Sequence, residues 1–487
     1  MLSMLSSYRE LFDSPSHRRV ILALASTYML VQVARFPVAL SIPSIAEYFD
    51  ISIATASWIV VAELLALGST VFLAARLGDK YGHNRIFFIG VLVTTLGAGL
   101  AGFSQSFSEL VVYRGLQGLG AALITGNSNA ILAANFPPEK RAKAFALPIT
   151  GARIGTFLGL IVFALFLHFV SWRLIFYSFI PLGAIALLTS WPMLKSGMQE
   201  RPVAKVSLDL IGALIFVSTV GVLIASGMHL HEGEESFTSS DAVGYHLPMH
   251  LLFFALAALF VVLQTRAKNP FMDFNLFRYK HFTMAIFSNT TFHFSMLAIT
   301  TLVPVLVERG FGLGPLFVLY VLLPHQSVGL VVPIVAGWYY DRYQPRLMRP
   351  ISMTLIALGI FLMGTFSSSV PFWLIPLLLA PTSIGSSIFN TINNALIMNS
   401  LPNEHRGFAS GMIETTRQIG HTLGATVAAS ALGLALPATI AFLAPAESQD
   451  FYIRGLQFSA FTVVSFIMLG AFVSFYHRPI LYPQSAR

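Results

Sequence analysis

The chain has 487 residues, is 55% hydrophobic and only 10% charged, and has a mean hydropathy of +0.74. Soluble proteins carry about 25% charged residues, so the composition excludes an ordinary soluble enzyme and indicates an integral membrane protein. A net charge of +8 would suit nucleic acid, but the basic residues sit in short loops between apolar runs, as positive-inside topology requires. The absence of cysteine excludes disulfides, thiol nucleophiles and Cys metal sites.

Met1–Arg19 is polar and no small-residue cleavage site follows it, so no cleavable signal peptide is expected. Fourteen apolar runs then read as spans, at about 20–46, 55–77, 86–104, 108–132, 142–168, 172–194, 207–229, 248–266, 283–307, 314–337, 350–367, 371–399, 407–432 and 455–476. An even count puts both termini on one side. With the N-terminus in the cytoplasm, nearly every Lys and Arg outside the spans is internal, and Arg173, Arg309 and Arg454 are the exceptions. Arg35, Arg114, Arg153 and Arg417 lie inside spans. Segment 230–247 is acidic and external. Segment 267–282 sets Asp273, Arg278 and Lys280 among Phe271, Phe274, Leu276 and Phe277, a pattern that suits a cytoplasmic helix lying at the interface.

Residues 75–85 form a basic turn with one carboxylate, Asp79, between two long apolar runs. Asp79 can cap the next helix or pair with a base, and Gly82 permits a left-handed turn. A related stretch, Gly337 to Arg346, recurs roughly 260 residues later. An internal repeat in a membrane chain suggests two homologous halves. These turns resemble the loop signature G-x-L-x-D-R-x-G-R-K of the major facilitator superfamily. The first copy matches at Leu77, Asp79, Lys80 and Gly82, with Ala75 for the leading Gly. The second matches at Gly337, Asp341 and Arg342, with Gln344 in place of the second Gly. Trp172–Phe176, Asp273–Phe277 and Arg406–Gly420, with two spans between the halves, resemble the fourteen-spanner drug:proton antiporter branch of that family.

The expected fold is an all-α membrane protein with two six-helix bundles (the major facilitator fold) and two additional transmembrane helices between them. Residues 1–194 form the N-terminal bundle and 283–487 the C-terminal one. The two linker helices and a cytoplasmic interfacial segment occupy 195–282.

Arg114-Gly115-Leu116-Gln117-Gly118-Leu119-Gly120 resembles the family's R-x-x-Q-G-x-G motif, whose arginine the resemblance ties to proton coupling. Gly151, Gly155 and Gly159 share one helix face and resemble the antiporter motif G-x-x-x-G-P-x-x-G-G; close helix packing explains the same spacing. Thr156 replaces its Pro and Leu160 its last Gly. The first span lacks the family's usual Asp, so proton coupling is expected at Glu63 or Glu414. Glu63 can pair with Arg35 or answer Arg114, and Glu414 and Arg417 are spaced i, i+3. Asp79, Lys80, Gly82, Arg85, Asp341 and Arg342 are candidates for a conformational latch. Asn289, His293, Gln326, Asn390 and Asn394 are candidates for a substrate cavity, with helix bridging an equal reading for each.

Four in-span arginines against two carboxylates disfavour a purely cationic substrate and favour an anionic or zwitterionic amphipath. The resemblance implies a secondary transporter in the cell membrane, working by alternating access in proton-coupled efflux. Its partners would be a small-molecule substrate, protons and the lipid bilayer, with no nucleic acid, no cofactor and no metal, and it would act as a monomer. The alternatives are a facilitator or importer of an organic anion or lipid-like compound without antiport, and a transporter-like receptor or scaffold. The spans hold no compact catalytic set and the chain no G-x-x-x-x-G-K-[ST] loop, which argues against an enzyme and against an ATP-driven pump.

Overall fold

The structure is a computed structural model, which describes residues 2–33, 38, 41–51, 53–169, 171–195, 209–226, 240–314, 316–437 and 444–476. Among the described residues the regular structure is helical, with no strand. The physical reason is the solvent. Lipid offers no hydrogen bonds, so a spanning backbone satisfies itself within its own helix. The helices are α1 (Leu2–Arg9), α2 (Pro15–Val33), α3 (Ile42–Phe49), α4 (Trp58–Tyr81), α5 (His83–Phe103), α6 (Phe107–Asn135), α7 (Arg141–Phe169) and α8 (Arg173–Lys195). There follow α9 (Leu210–Ser226), α10 (Ser240–Arg266), α11 (Lys280–Val305), α12 (Leu316–Tyr343), α13 (Met348–Phe366), α14 (Ala380–Asn399), α15 (Arg406–Ala435) and α16 (Pro445–Tyr476). Nine helices among the described residues are long and apolar enough to cross a membrane by length and composition.

The elements refine the sequence reading in four places. Residues 34–37, 39 and 40 of the first predicted span lie outside the described residues; α2 is described to Val33, Ser41 is a turn, and α3 begins at Ile42 with Pro43 in its first turn, where a missing N–H costs nothing. The predicted span 371–399 coincides with a membrane-length stretch, Phe372–Asn399, which is interrupted once, at Leu379, between Pro376 and Pro381. A 3-10 turn, Phe372–Leu374, and one helical turn, Ile375–Leu378, precede α14, and Pro381 sits in the first turn of α14. The end of the segment read as an external loop is already helical, because α10 starts at Ser240; residues 230–239 lie outside the described residues. The predicted interfacial helix is only a 3-10 turn, Phe274–Arg278. Its apolar side chains are held by protein: Phe271 is buried against Phe72 and Phe216, and Phe277 packs on Phe408.

Packing follows a repeated pattern. α2 packs on α7 and α8, α4 on α6, and α5 on α6 and α8. In the same order, α11 packs on α15 and α16, α12 on α14, and α13 on α14 and α16. The two sets meet where α4 packs on α15 and α7 packs on α12. α9 and α10 pack on each other, and α9 also on α4. The glycine stripe explains one of these contacts: Gly151, Gly155 and Gly159 lie directly on the backbone of Ala25, Met29 and Val33, so α7 approaches α2 without intervening side chains.

The repeated turn also shows a local cost. Gly82, at the end of α4, has φ +98°, and Gln344, just past α12, has φ +43°. The second copy keeps left-handed backbone without the glycine that makes it easy. A non-glycine residue there costs roughly 1–2 kcal/mol, offset in part by the lower chain entropy of Gln in the unfolded state. Gln344→Gly is therefore expected to raise the thermal midpoint in detergent, with a net gain of about 0.5–1 kcal/mol. An unchanged or lowered midpoint would show that the turn carries no strain.

Candidate functional site

Two structural features stand out: a closed end and a central cavity. The closed end lies beside the basic turns. Asp79, in the last turn of α4, accepts a hydrogen bond from Arg76 Nη1 at 3.0 Å and faces His83 Nε2 at 3.4 Å. Its buried carboxylate lies against Gly407 in the first turn of α15, where any side chain would strike it. Asp341, near the end of α12, accepts the backbone N–H of Ala142 at 3.2 Å and of Lys143 at 2.9 Å, in the first turn of α7. The two contacts are reciprocal. Each set of helices sends a carboxylate to the positive end of a helix in the other set, where unpaired N–H groups favour an anion.

Other bonds tighten the same end. Ser410 Oγ donates to Gly126 O at 2.6 Å, and Arg141 Nη1 donates to Met398 O at 3.3 Å and also bonds Asn399. Tyr8 OH donates to Ile334 O at 2.7 Å. Burial first, and the nearby Asp341 carboxylate second, push the Tyr8 phenol well above its usual range, so it stays a donor. Gly82 supplies the turn after Asp79. Lys80, Arg85 and Arg342 are exposed and stand away from these carboxylates; Lys80 lies 5.1 Å from the Tyr81 ring centre, and Arg342 5.8 Å from that of Trp338.

The cavity holds about 460 Å³ and is lined by α2, α4, α6 and α7 on one side and α11, α12, α14 and α15 on the other, with Ile224 of α9 at its border. Charges meet here in pairs, because an unpaired ion inside a membrane is costly. Arg114 is 1% exposed, and its guanidinium is fully engaged by Glu63, Gln117 and Ile59 O. Of the two partners open to Glu63, Arg114 is therefore the one observed, and Arg35 lies outside the described residues. Glu414 pairs with Arg417 at 3.2 Å, and Asn129 reaches it from the other set at 3.4 Å. Arg153 bonds Gln326 across the two sets. His325 shares a hydrogen bond with Ser383 Oγ at 2.6 Å, and His293 shares one with His421 at 3.2 Å.

Of the cavity candidates, His293, Gln326, Asn390 and Asn394 line this space. Asn289 does not. It bridges α11 to α15 through Ile413 O at 3.0 Å and Thr416 Oγ1 at 2.9 Å, and receives Asn393 at 3.3 Å. Sequence reasoning missed His421 and Gln418, which also line the cavity. Glu414, Arg417, Gln418 and His421 fall at i, i+3, i+4 and i+7, so a helical period centred on the two charges would have found them. Asn129 and Tyr28 carried no such signal.

The arrangement is that of a membrane transporter: helices enclose a mostly apolar cavity with a few charged and polar groups, between two sets that are pinned together at one end. The Major Facilitator Superfamily profile matches residues 24–425, and the chain belongs to that family. The multidrug resistance protein Stp of Mycobacterium tuberculosis (strain CDC 1551 / Oshkosh) is 30% identical over 407 residues, 83% of this chain and 73% of Stp. The riboflavin transporter RibZ of Clostridioides difficile (strain 630) is 25% identical over 382 residues, 78% of this chain and 81% of RibZ. The solved structure of the proton:xylose symporter XylE aligns with TM-score 0.64 at 13% identity, over 93% of this chain and 94% of that one, which shows the shared fold. The chain is thus a multi-pass, all-helical membrane transporter, and family and relatives alike are transporters rather than enzymes.

A carboxylate at a partly buried helix N-terminus contributes up to about 2 kcal/mol, which is about thirtyfold in a two-state equilibrium. Asp79→Asn is expected to slow transport and shift the resting population by up to this factor, with equilibrium substrate binding nearly intact. Transport rate and binding affinity measured on one preparation check this; a large loss of affinity at unchanged turnover would contradict it.

Proposed function

We propose that this transporter exports an amphipathic small molecule from the cell by alternating access, driven by protons. The observation that carries the reading is the cavity between two helix sets that are pinned at one end by reciprocal Asp-to-helix contacts. Such contacts can break at one end while others form at the opposite end, which is what alternating access requires. In this reading α2 and α4 to α16 are fourteen spans, and both termini lie in the cytoplasm of a cell-membrane protein. Residues 1–194 and 283–487 form two six-helix bundles with the linker pair in 195–282, and the protein works as a monomer. The repeated packing order supports the bundles, and the basic turns support the orientation. The resemblance to the fourteen-spanner antiporter branch and to a multidrug resistance protein supports export.

Coupling runs through Glu63 or Glu414. A carboxylate that loses its arginine in a dry cavity takes up a proton, and renewed pairing expels it. Arg114 and Arg417 are the partners whose movement would do this, and Asp79 and Asp341 are the latch that sets when they move. A second reading, a facilitator or importer without antiport, is favoured by Thr156 and Leu160, which depart from the antiporter motif, and by the riboflavin transporter among the relatives. A receptor or scaffold would bind without flux.

Proteoliposomes with and without an imposed pH gradient separate these readings. At least one of Glu63→Gln and Glu414→Gln is expected to abolish pH-driven flux while keeping substrate exchange at equal pH. Full pH-driven flux in both single variants and the double variant places coupling elsewhere. Flux indifferent to the gradient in the unmodified protein selects the facilitator, and binding without flux selects the receptor.

A further inference from the structure

The cavity is not balanced in charge. Arg114 and Arg417 each hold a carboxylate, whereas Arg153 has no acid within ion-pair distance among the described residues. Its bond is to Gln326, a neutral amide that reaches it from α12. A guanidinium bound only to an amide is under-satisfied. A carboxylate adds an opposite charge that an amide lacks, and the planar fork can donate to both carboxylate oxygens at once.

The surroundings leave room for such a ligand. Arg153 is only partly buried, and it faces the cavity. Its aliphatic stem crosses α12 at Gly329, where a side chain would collide with Cγ, Cδ and Nε. On α14, the side-chain oxygens of Asn390 and Asn394 are buried and find no hydrogen-bond partner among the described residues, although both residues line the cavity. Buried side-chain oxygens without partners are rare, and a ligand in the cavity is one group that would satisfy them. An amide turned through 180° presents its N–H instead of its oxygen, which is what an anionic head group needs. α7, α12 and α14 pack on one another, and Arg153, Gln326 and the two asparagines all line the cavity. Phe292, Met296 and Leu322 supply apolar wall elsewhere in the cavity.

From this we infer that Arg153, flanked by Gln326 and Asn390, is the receptor for a carboxylate on an amphipathic ligand, and that the carboxylate displaces Gln326 from the guanidinium. The exchange has a structural consequence. Arg153 belongs to one helix set and Gln326 to the other, so ligand binding replaces a bond between the sets with a bond to the ligand. Occupancy of the site thereby loosens the contact that must give way when the cavity reorients. The inference rests on the transport reading for its role in turnover, while the binding step stands apart from it.

Three ligands with one ring system and different charge test the binding step: 1-naphthoate, 1-naphthamide and 1-naphthylmethylammonium. Calorimetric titration of the purified protein in detergent is expected to show naphthoate bound at least about tenfold more tightly than the other two. Arg153→Gln is expected to remove that preference, and Arg153→Lys to keep part of it. Gln326→Glu gives Arg153 a resident acid and is expected to abolish the preference for naphthoate. A melting temperature near that of the unmodified protein shows that a variant is folded. The inference is overturned if the unmodified protein shows no preference for naphthoate or binds none of the three. A preference that survives in folded Arg153→Gln or Gln326→Glu overturns it as well. Flux in proteoliposomes keeps the two readings apart. Transport of naphthamide with no advantage for naphthoate leaves the transporter and removes the anion site; a strong naphthoate preference with no flux of any ligand does the reverse.

Discussion

A charge taken into a membrane must find its partner in the protein, and that constraint organises the interior of this molecule. Water would hydrate Arg114 or Glu414 without help, but lipid does not. Each therefore carries its counter-ion on its own helix or a neighbouring one, and amides close the remaining bonds. A buried pair of this kind adds little to stability, because desolvation offsets most of the Coulomb attraction. Its importance lies in the cost of separating it. A conformational change that parts Glu63 from Arg114 must supply something else to neutralise the acid, so charge and shape cannot change independently.

The same constraint divides the molecule into a pinned end and an open middle. At the closed end Asp341 is held by backbone N–H groups in the first turn of α7, which are fixed partial charges, while Asp79 lies against the first turn of α15 and pairs with Arg76 and His83 on its own side. In the cavity the partners are side chains, which can rotate, exchange and take up protons. The reciprocal geometry means that neither helix set can tilt away without breaking two contacts together. An equilibrium held this way is poised rather than locked. Two contacts of about 2 kcal/mol each are of the same order as the roughly 5.5 kcal/mol that carries a two-state system from one extreme population to the other.

Packing sets the remaining geometry. The stripe Gly151, Gly155 and Gly159 resembles part of an antiporter motif, yet its visible work is to seat α7 on the backbone of α2. That seating brings α7 close enough for Thr156 and Arg153 to reach the cavity from one turn of helix. Close packing and cavity chemistry therefore come from interleaved residues of one helix. The glycine spacing by itself does not tell which of the two was selected.

Much of the molecule was legible in the chain alone. Long apolar runs with few charges could only be helices in a bilayer, since no other open structure satisfies its own backbone there. The repeat at Asp79 and Asp341 marked the two related ends, and the spacing of Glu414 and Arg417 announced their pairing, because residues three apart on a helix are neighbours whatever the fold. The interruption at Leu379, just before Pro381, was blurred because hydropathy averages over the residues that end a helix. What the chain alone left undecided were the partners distant in sequence. Glu63 had two arginines open to it, and Asp79 had no identified partner. Gln326 and Asn289 looked alike until one faced the cavity and the other bridged two helices. Local periodicity determines helices and neighbours within a turn. Only the packing of one helix set on the other decides which polar face meets which, because that depends on the crossing and rotation of whole helices rather than on any one stretch of sequence.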